Sequence, residues 1–320
     1  MVDNNTTKVI DTWLEEMVLP ASPEKLYDPI KYIISIGGKR IRPALVLAIG
    51  ELLEADKKDI KLLALSVELF HNFTLVHDDI MDESDKRRGQ ATVHKKWNQN
   101  VAILSGDAML IEVYKMLVEV DSPNVKQILR SFNDTATLVC EGQQYDMDFE
   151  EKENVKQSDY IDMIKKKTAV LLAYSLHVSA LLKGDTALAE QLYEIGINLG
   201  LSFQIKDDLL DVFPEDDKFG KKVAGDIYNA KKTFLYINLL EKLSEDETKS
   251  IKDLYAKEER NDLEVEQVIN LMRCYQVDEA VESLANDYSE KAITQIENLE
   301  NVSLKNFLNN FSESLLNRTY

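Results

Sequence analysis

The chain has 320 residues, 44% of them hydrophobic and 30% charged, with 11 Gly and 6 Pro, which describes a folded globular protein and excludes a disordered one. Lys and Arg total 38 against 57 Asp and Glu, so the formal charge of -19 repels nucleic acid and anionic membrane surfaces alike. Any anion held by such a protein needs a local cluster of bases or metal ions, because the mean field opposes it.

From the N-terminus, MVDNNTTKVIDTW lacks the basic start and apolar core of an export signal. The longest mostly apolar stretch, Thr168 to Leu182, is shorter than the about 20 residues that span a bilayer and carries His177. A cytoplasmic protein is expected. Ser22-Pro23, Asp28-Pro29 and Ser122-Pro123 each set a capping side chain before a proline and mark helix starts. Apolar residues recur at three and four positions, as at Ile60, Leu63, Val67, Phe70 and Thr74, and again at Leu188, Leu192, Ile195, Leu199 and Phe203. No stretch alternates as a strand does. Gly106, Gly142, Gly196 and Gly200 fall inside helical patterns, where glycine costs about 1 kcal/mol relative to alanine; close helix packing or a cavity wall is expected there. The two cysteines, Cys140 and Cys274, stand alone in apolar-patterned segments, which suits buried thiols in a reducing compartment. After Ser244 the charge rises and the pattern weakens, giving a peripheral helical tail over about 244–320. The fold expected is all-α: one domain over 1–320, a bundle of roughly 10–13 helices, with a motif-bearing core over about 36–233.

One acidic pentad appears twice, as DDIMD at Asp78 to Asp82 and DDLLD at Asp207 to Asp211, each time ending a long apolar helix. Helical residues four apart differ in direction by about 40°. Asp78 and Asp82 therefore share a face with Asp79 beside them, and Asp207, Asp208 and Asp211 repeat the arrangement. Three carboxylates on one turn repel each other, and at a helix C-terminus they also oppose the macrodipole. A solvated acidic surface explains this poorly; hard cations such as Mg²⁺, which bridge carboxylate to phosphate oxygens, explain it well.

Bases gather beside these acids. Arg87 and Arg88 follow the first pentad in KRRGQ, and GGKRIRP puts Lys39, Arg40 and Arg42 next to two glycines that let backbone approach a ligand. Lys165, Lys166 and Lys167 precede Thr168, and Lys221, Lys222, Lys231 and Lys232 follow the second pentad. A lone lysine run is usually a solvated face. Next to two carboxylate clusters, such bases complement metal ions in gripping a diphosphate.

GGKRIRP, ELFHNFTLVHDDIMD, RRG, EGQQYDMD, KKKT, FQIKDDLLD and GKKVAGDI with a later KKT follow one another from about Ile36 to Thr233. With that series the sequence resembles the trans-isoprenyl diphosphate synthases, or polyprenyl synthetases, of farnesyl and geranylgeranyl diphosphate synthase type. The resemblance implies an isoprenoid-synthase helical fold, a homodimer, and a deep cavity framed by the two aspartate-bearing helices. It implies Mg²⁺ as cofactor, three ions per active site, with Asp78, Asp82 and Asp207 as principal ligands and Asp79, Asp208 and Asp211 in support. Arg87, Lys167, Thr168, Gln204, Lys221 and Lys231 then hold the allylic diphosphate, and Lys39, Arg42, His71 and Arg88 hold isopentenyl diphosphate. Gln143 and Asp146 offer a further polar contact to metal-bound water, while His77 is left structural. The implied reaction condenses isopentenyl diphosphate with dimethylallyl, geranyl or farnesyl diphosphate and releases pyrophosphate. Phe73 and Thr74, the fifth and fourth residues before Asp78, mark the floor for the growing tail and point to a C15 to C20 product, C20 favoured. Ala224 departs from the glycine common at its place. A class I terpene cyclase needs neither GGKRIRP nor a second DDxxD, a non-catalytic subunit of a heteromeric synthase usually loses a pentad, and an acidic metal-buffering protein needs no diphosphate site.

Overall fold

The computed structural model describes residues 4–214 and 224–316. Wherever apolar residues recur at three and four positions, the backbone is helical. In chain order the elements are α1 (Asn4–Glu15), α2 (Glu24–Ser35), α3 (Ile41–Leu52), α4 (Lys57–Met81), a hairpin of β1 (Lys86–Arg87) and β2 (Gln90–Ala91), α5 (Val93–Lys96) and α6 (Gln99–Val118). Next come α7 (Val125–Glu151), α8 (Gln157–Ile164), a π-helical turn over Lys165–Ala169, α9 (Val170–Lys183) and α10 (Thr186–Val212). The remainder is α11 (Gly225–Tyr228), α12 (Phe234–Lys242), α13 (Glu245–Tyr255), α14 (Asp262–Cys274), α15 (Val277–Glu297) and α16 (Val302–Leu316). Two of these, α5 and α11, are single four-residue turns. None of the described helices is long and apolar enough to cross a membrane.

The chain packs as two compact units, one from the N-terminus to Asp134 with Tyr174–Tyr193, the other Thr135–Ala173 with the chain from Glu194 onward. Helices α7, α9 and α10 each contribute residues to both. In the first unit α4 starts on Asp56, whose side chain accepts the Lys58 and Asp59 amides. The helix then buries Ile60, Leu63, Val67 and Phe70 against α3 and α6. The expected start at Asp28-Pro29 is not one: Pro29 lies inside α2, sixth of its 12 residues, and is buried, so the helix gives up one backbone hydrogen bond there.

In the second unit, side-chain-free positions let helices meet backbone to backbone. A Cβ added at Gly196 or Gly200 would fall 2.4 Å from the Ala173 Cα or 2.6 Å from the Ala169 Cα, and one at Gly142 would fall 2.3 Å from the Lys167 nitrogen. Close packing is thus the role of these glycines. The stretch after Ser244, expected to be peripheral, buries Ile251, Val268, Val281 and Leu304 in the core of its unit, and Ser202 of α10 donates to the Ala285 carbonyl at 2.7 Å. Its apolar stripe is narrow and flanked by acids, which dilutes the pattern. Both cysteines are exposed rather than buried, because Cys140 and Cys274 fall on the outer faces of α7 and α14.

Candidate active site

In the first unit the acidic pentad occupies the last turn of α4, with Asp82 as its C-cap. The RRG motif then forms a two-residue hairpin loop: Arg88 and Gly89 both have positive φ, 52° and 78°, the signature of a type I′ turn. Thr92 ties the hairpin base, its hydroxyl donating to the Ser84 carbonyl at 2.8 Å and its amide to the Asp85 carbonyl. This turn sends Arg87 back onto α4. Its Nε and NH2 reach Asp79 Oδ1 at 2.8 and 2.7 Å, and NH2 stands 3.6 Å from Asp78 Oδ2. Asp79 is 1% exposed; burial raises its pKa while Arg87 opposes the rise.

The neighbouring cations converge on one histidine. Arg42 NH1 lies 3.4 Å from His71 Nε2. Burial first, then the charges of Arg42, Arg88, Arg87 and Arg40, hold the His71 pKa far below its usual value. His71 is therefore neutral at physiological pH, and its Nε2 accepts from Arg42. Arg88 lies over Gly38, where a Cβ would come within 2.6 Å of NH1. The glycine expected to admit a ligand clears room for this guanidinium instead. Lys39 is exposed beside them. Lower on α4, the Phe73 ring centroid lies 5.6 Å from that of Phe70 and 4.7 Å from that of His77, and the Thr74 hydroxyl donates to the His71 carbonyl at 2.8 Å. His77 is packed on Gly106, its Nε2 3.2 Å from the Ile103 carbonyl oxygen.

In the second unit a cavity of about 290 Å³ is lined by Asp207, Asp208 and Asp211 with Asp146, Lys167, Thr168, Gln204, Asp226 and Lys231. KKKT forms the π-helical turn, a distortion frequent at functional sites. Of its lysines, Lys167 enters the cavity and binds Asp146 Oδ2 at 2.6 Å, whereas Lys166 pairs with Glu141 and Asp162. A chain of hydrogen bonds fixes the middle aspartate: Thr168 donates to Gln204 at 3.2 Å, Gln204 to Asp208 Oδ1 at 3.0 Å, and the Tyr160 hydroxyl to Asp208 Oδ2. Burial raises the Asp208 pKa well above normal, the Asp226 charge adds to this, and the Tyr160 and Gln204 donors oppose it. Asp211 accepts the Asp226 amide at 2.9 Å, and its carbonyl accepts the Ala224 amide at 2.7 Å. Ala224 has φ 62°, the left-handed region that glycine tolerates better.

Lys221 lies outside the described residues. Every other residue singled out for a diphosphate falls in one of these two groups. Sequence reasoning missed Tyr160 and Asp226. The acid inside GKKVAGDI was a legible signal for Asp226; a lone tyrosine in QSDYIDMI carried none.

Burial pushes the Asp226 pKa up to about 6, helped by Asp211 and opposed by Lys231. Because the folded value lies above the unfolded one, Asp226 contributes stability below about pH 4 that is lost as pH rises through about 6. In metal-free buffer at pH 7.5, Asp226→Asn should therefore stabilise the protein by about 1–3 kcal/mol. The gain should vanish near pH 4, where the aspartate is already neutral. Thermal unfolding at both pH values checks this, and an equal shift at both would contradict it.

Hard carboxylate oxygens are the donor chemistry of Mg²⁺, and Asp79 Oδ2, buried with no hydrogen-bond partner in the protein, is one such oxygen. Among the described residues no three acidic, histidine or cysteine side chains already stand grouped to hold a metal ion. Asp79 is fastened by Arg87, and Asp208 by Tyr160 and Gln204.

A largely helical protein that ends two long helices on aspartate clusters, each beside arginine or lysine, is of the class equipped to hold diphosphates through metal ions and bases. The Polyprenyl synthetase family profile matches residues 23–272. The chain is 35% identical to the geranylgeranyl diphosphate synthase of Methanosarcina mazei over 321 residues, covering 99% of this chain and 97% of that one. It is similar to the geranylgeranyl pyrophosphate synthetase structure from Geoglobus acetivorans, with a TM-score of 0.89 and 33% identity over 99% and 100% of the two chains. The corresponding structure from Pyrococcus horikoshii Ot3 gives a TM-score of 0.91 and 30% identity over 98% and 96%. The chain belongs to the polyprenyl synthetase family, and it is a transferase, a prenyltransferase.

Proposed function

We propose that this protein is a geranylgeranyl or farnesyl diphosphate synthase, extending dimethylallyl, geranyl or farnesyl diphosphate with isopentenyl diphosphate to an all-trans product of C15 to C20, C20 favoured. The observation that carries the reading is the repeated construction at the ends of α4 and α10. In each, the middle aspartate is buried and fixed by protein donors, Arg87 in one and Tyr160 with Gln204 in the other, while Asp78, Asp82, Asp207 and Asp211 are less buried. In this reading Asp78, Asp82 and Asp207 hold Mg²⁺, three ions per site, with Asp79, Asp208 and Asp211 in support. When bound, Mg²⁺ neutralises charge on a diphosphate and so assists its departure.

The chain's own residues do the rest. Arg87, Lys167 and Lys231, with Lys221, bind the allylic diphosphate and interact more strongly as negative charge builds on the leaving oxygen, which lowers the barrier to ionisation. Thr168 and Gln204 orient that group. Lys39, Arg42, Arg88 and neutral His71 anchor isopentenyl diphosphate, placing its double bond for attack. Apolar side chains along α4 exclude water from the allylic cation. Carbon–carbon bond formation and proton loss complete each five-carbon extension.

The reading takes the whole chain as one catalytic domain acting as a homodimer. Leu104, Ile111 and Val118 on α6, spaced seven apart and 59%, 56% and 61% exposed, form the kind of apolar seam that a helix partner covers. It places the enzyme in the cytoplasm, where the exposed Cys140 and Cys274 stay reduced. Incubation with Mg²⁺, labelled isopentenyl diphosphate and each allylic primer tests the activity. A chain-extended diphosphate is expected; a hydrocarbon would indicate a cyclase, and absence of any extended product would remove the proposal.

Phe73, with Thr74, forms the floor in this reading. Phe73→Ala should shift the product beyond C20 with little change in turnover of short primers, as read by chromatography of dephosphorylated products. An unchanged product length would remove the floor assignment.

A further inference from the structure

We propose that Arg40 is a positioning residue for isopentenyl diphosphate and that α1, through Asp11, is part of that site. The inference rests on the assignment of Lys39 and Arg42 to this substrate. Arg40 stands between those two in GGKRIRP but does not share their exposure: its residue is 4% exposed. Its three guanidinium nitrogens go to three different elements. Nε donates to Asp11 Oδ1 of α1 at 2.9 Å, NH1 to Glu68 Oε1 of α4, and NH2 to the Ile34 carbonyl of α2 at 2.8 Å. Glu68, its side chain 3% exposed, also accepts from Asn72 one turn further on.

A buried ion pair of this kind adds little to stability over a well-packed apolar pair. Its specific product here is geometry. Arg40 is the N-cap of α3 with φ 48°, a left-handed conformation unfavourable for an L-residue with a long side chain, so the surroundings must hold it. The three-way fork dictates it. It thereby fixes the backbone from Lys39 to Arg42 against α4, the helix that carries His71 three residues after Glu68. Glu68 has a second effect: burial lowers the Arg88 pKa, and the Glu68 charge opposes that shift while Arg40 and Arg87 add to it. Without the Arg40–Glu68 pair, residue 40 is free to leave the left-handed region, and Arg42 shifts away from His71.

Steady-state kinetics of the full-length protein test this, with KM measured separately for isopentenyl diphosphate and for the allylic primer, alongside thermal unfolding. Asp11→Asn should raise KM for isopentenyl diphosphate by about threefold and Arg40→Lys by about tenfold or more, each leaving KM for the primer within about twofold. Arg42→Ala is the reference. If it raises KM for isopentenyl diphosphate while Asp11→Asn and Arg40→Lys do not, the positioning role is overturned and the substrate assignment stands. If Arg42→Ala itself has no effect, the substrate assignment fails and the inference with it. Equal rises for both substrates would mark Arg40 as merely structural and overturn the proposal. Asp11 is 44% exposed at its side chain, so Asp11→Asn decides the matter should Arg40→Lys not fold.

Discussion

Asp207→Asn and Asp78→Asn should each lower kcat by about 10³-fold or more at saturating substrates while leaving the unfolding midpoint within a few degrees of the parent. Each removes a full negative charge from a half-buried carboxylate of a pentad and keeps its shape. Asp208→Asn should lower kcat far less, by roughly tenfold, because the Tyr160 hydroxyl and the Gln204 amide converge on that carboxyl and an amide oxygen still accepts from one of them. Burial raises the Asp208 pKa above its ordinary value, so a neutral isostere there removes a charge the surroundings already disfavour. Measuring kcat across a Mg²⁺ titration separates the cases: loss of a metal ligand moves the Mg²⁺ dependence, and loss of an orienting contact does not. An Asp208→Asn enzyme as impaired as Asp207→Asn would show that the middle aspartate ligates metal directly.

Arg87→Met should have two large effects. Asp79, 1% exposed and held at 2.8 and 2.7 Å by Arg87, is left as a buried carboxylate without its cation. Removing one partner of a buried pair costs about 3–5 kcal/mol. The sign with pH follows from the charge. Without Arg87 the folded pKa of Asp79 rises further above its unfolded value, so the deficit should be larger at pH 8 than at pH 5 in urea denaturation. In the same variant kcat should fall by about 10²-fold or more, since a cation beside developing leaving-group charge is lost. Arg87→Lys should recover much of the stability but less of the rate, because an ammonium cannot present the paired donors of a guanidinium. A variant as stable as the parent at both pH values would show that Asp79 does not depend on Arg87.

Much of this was legible in the residues. The spacing Ile60, Leu63, Val67, Phe70 fixes both the helix and the buried face of α4, and it brings Asp78, Asp79 and Asp82 to the helix end without tertiary information. The same holds for α10 and its pentad. What the pattern does not encode is which of three neighbouring charged groups turns inward: Lys167 and not Lys166, Asp79 and Asp208 rather than Asp78 and Asp207. That is decided by partners distant in sequence, Asp146 and Tyr160 among them. The hairpin was hidden because strands of two residues cannot show alternation, although Arg-Gly in RRG was a fair turn signal. The burial of tail residues was hidden for a different reason. Two of the tail's helices, α13 and α14, begin at capping boxes, Ser244 with Glu247 and Asn261 with Glu264, which the sequence displays plainly, but the apolar stripe behind each cap is only a few residues wide.

The bare contacts at Gly142 and Gly200 carry a consequence for how such an enzyme diversifies. The segments bearing Asp146, Lys167 and Gln204 are spaced by main chain touching main chain, a dimension that ordinary side-chain drift leaves untouched. Side chains elsewhere in that unit can then be exchanged without changing the spacing of the three polar groups.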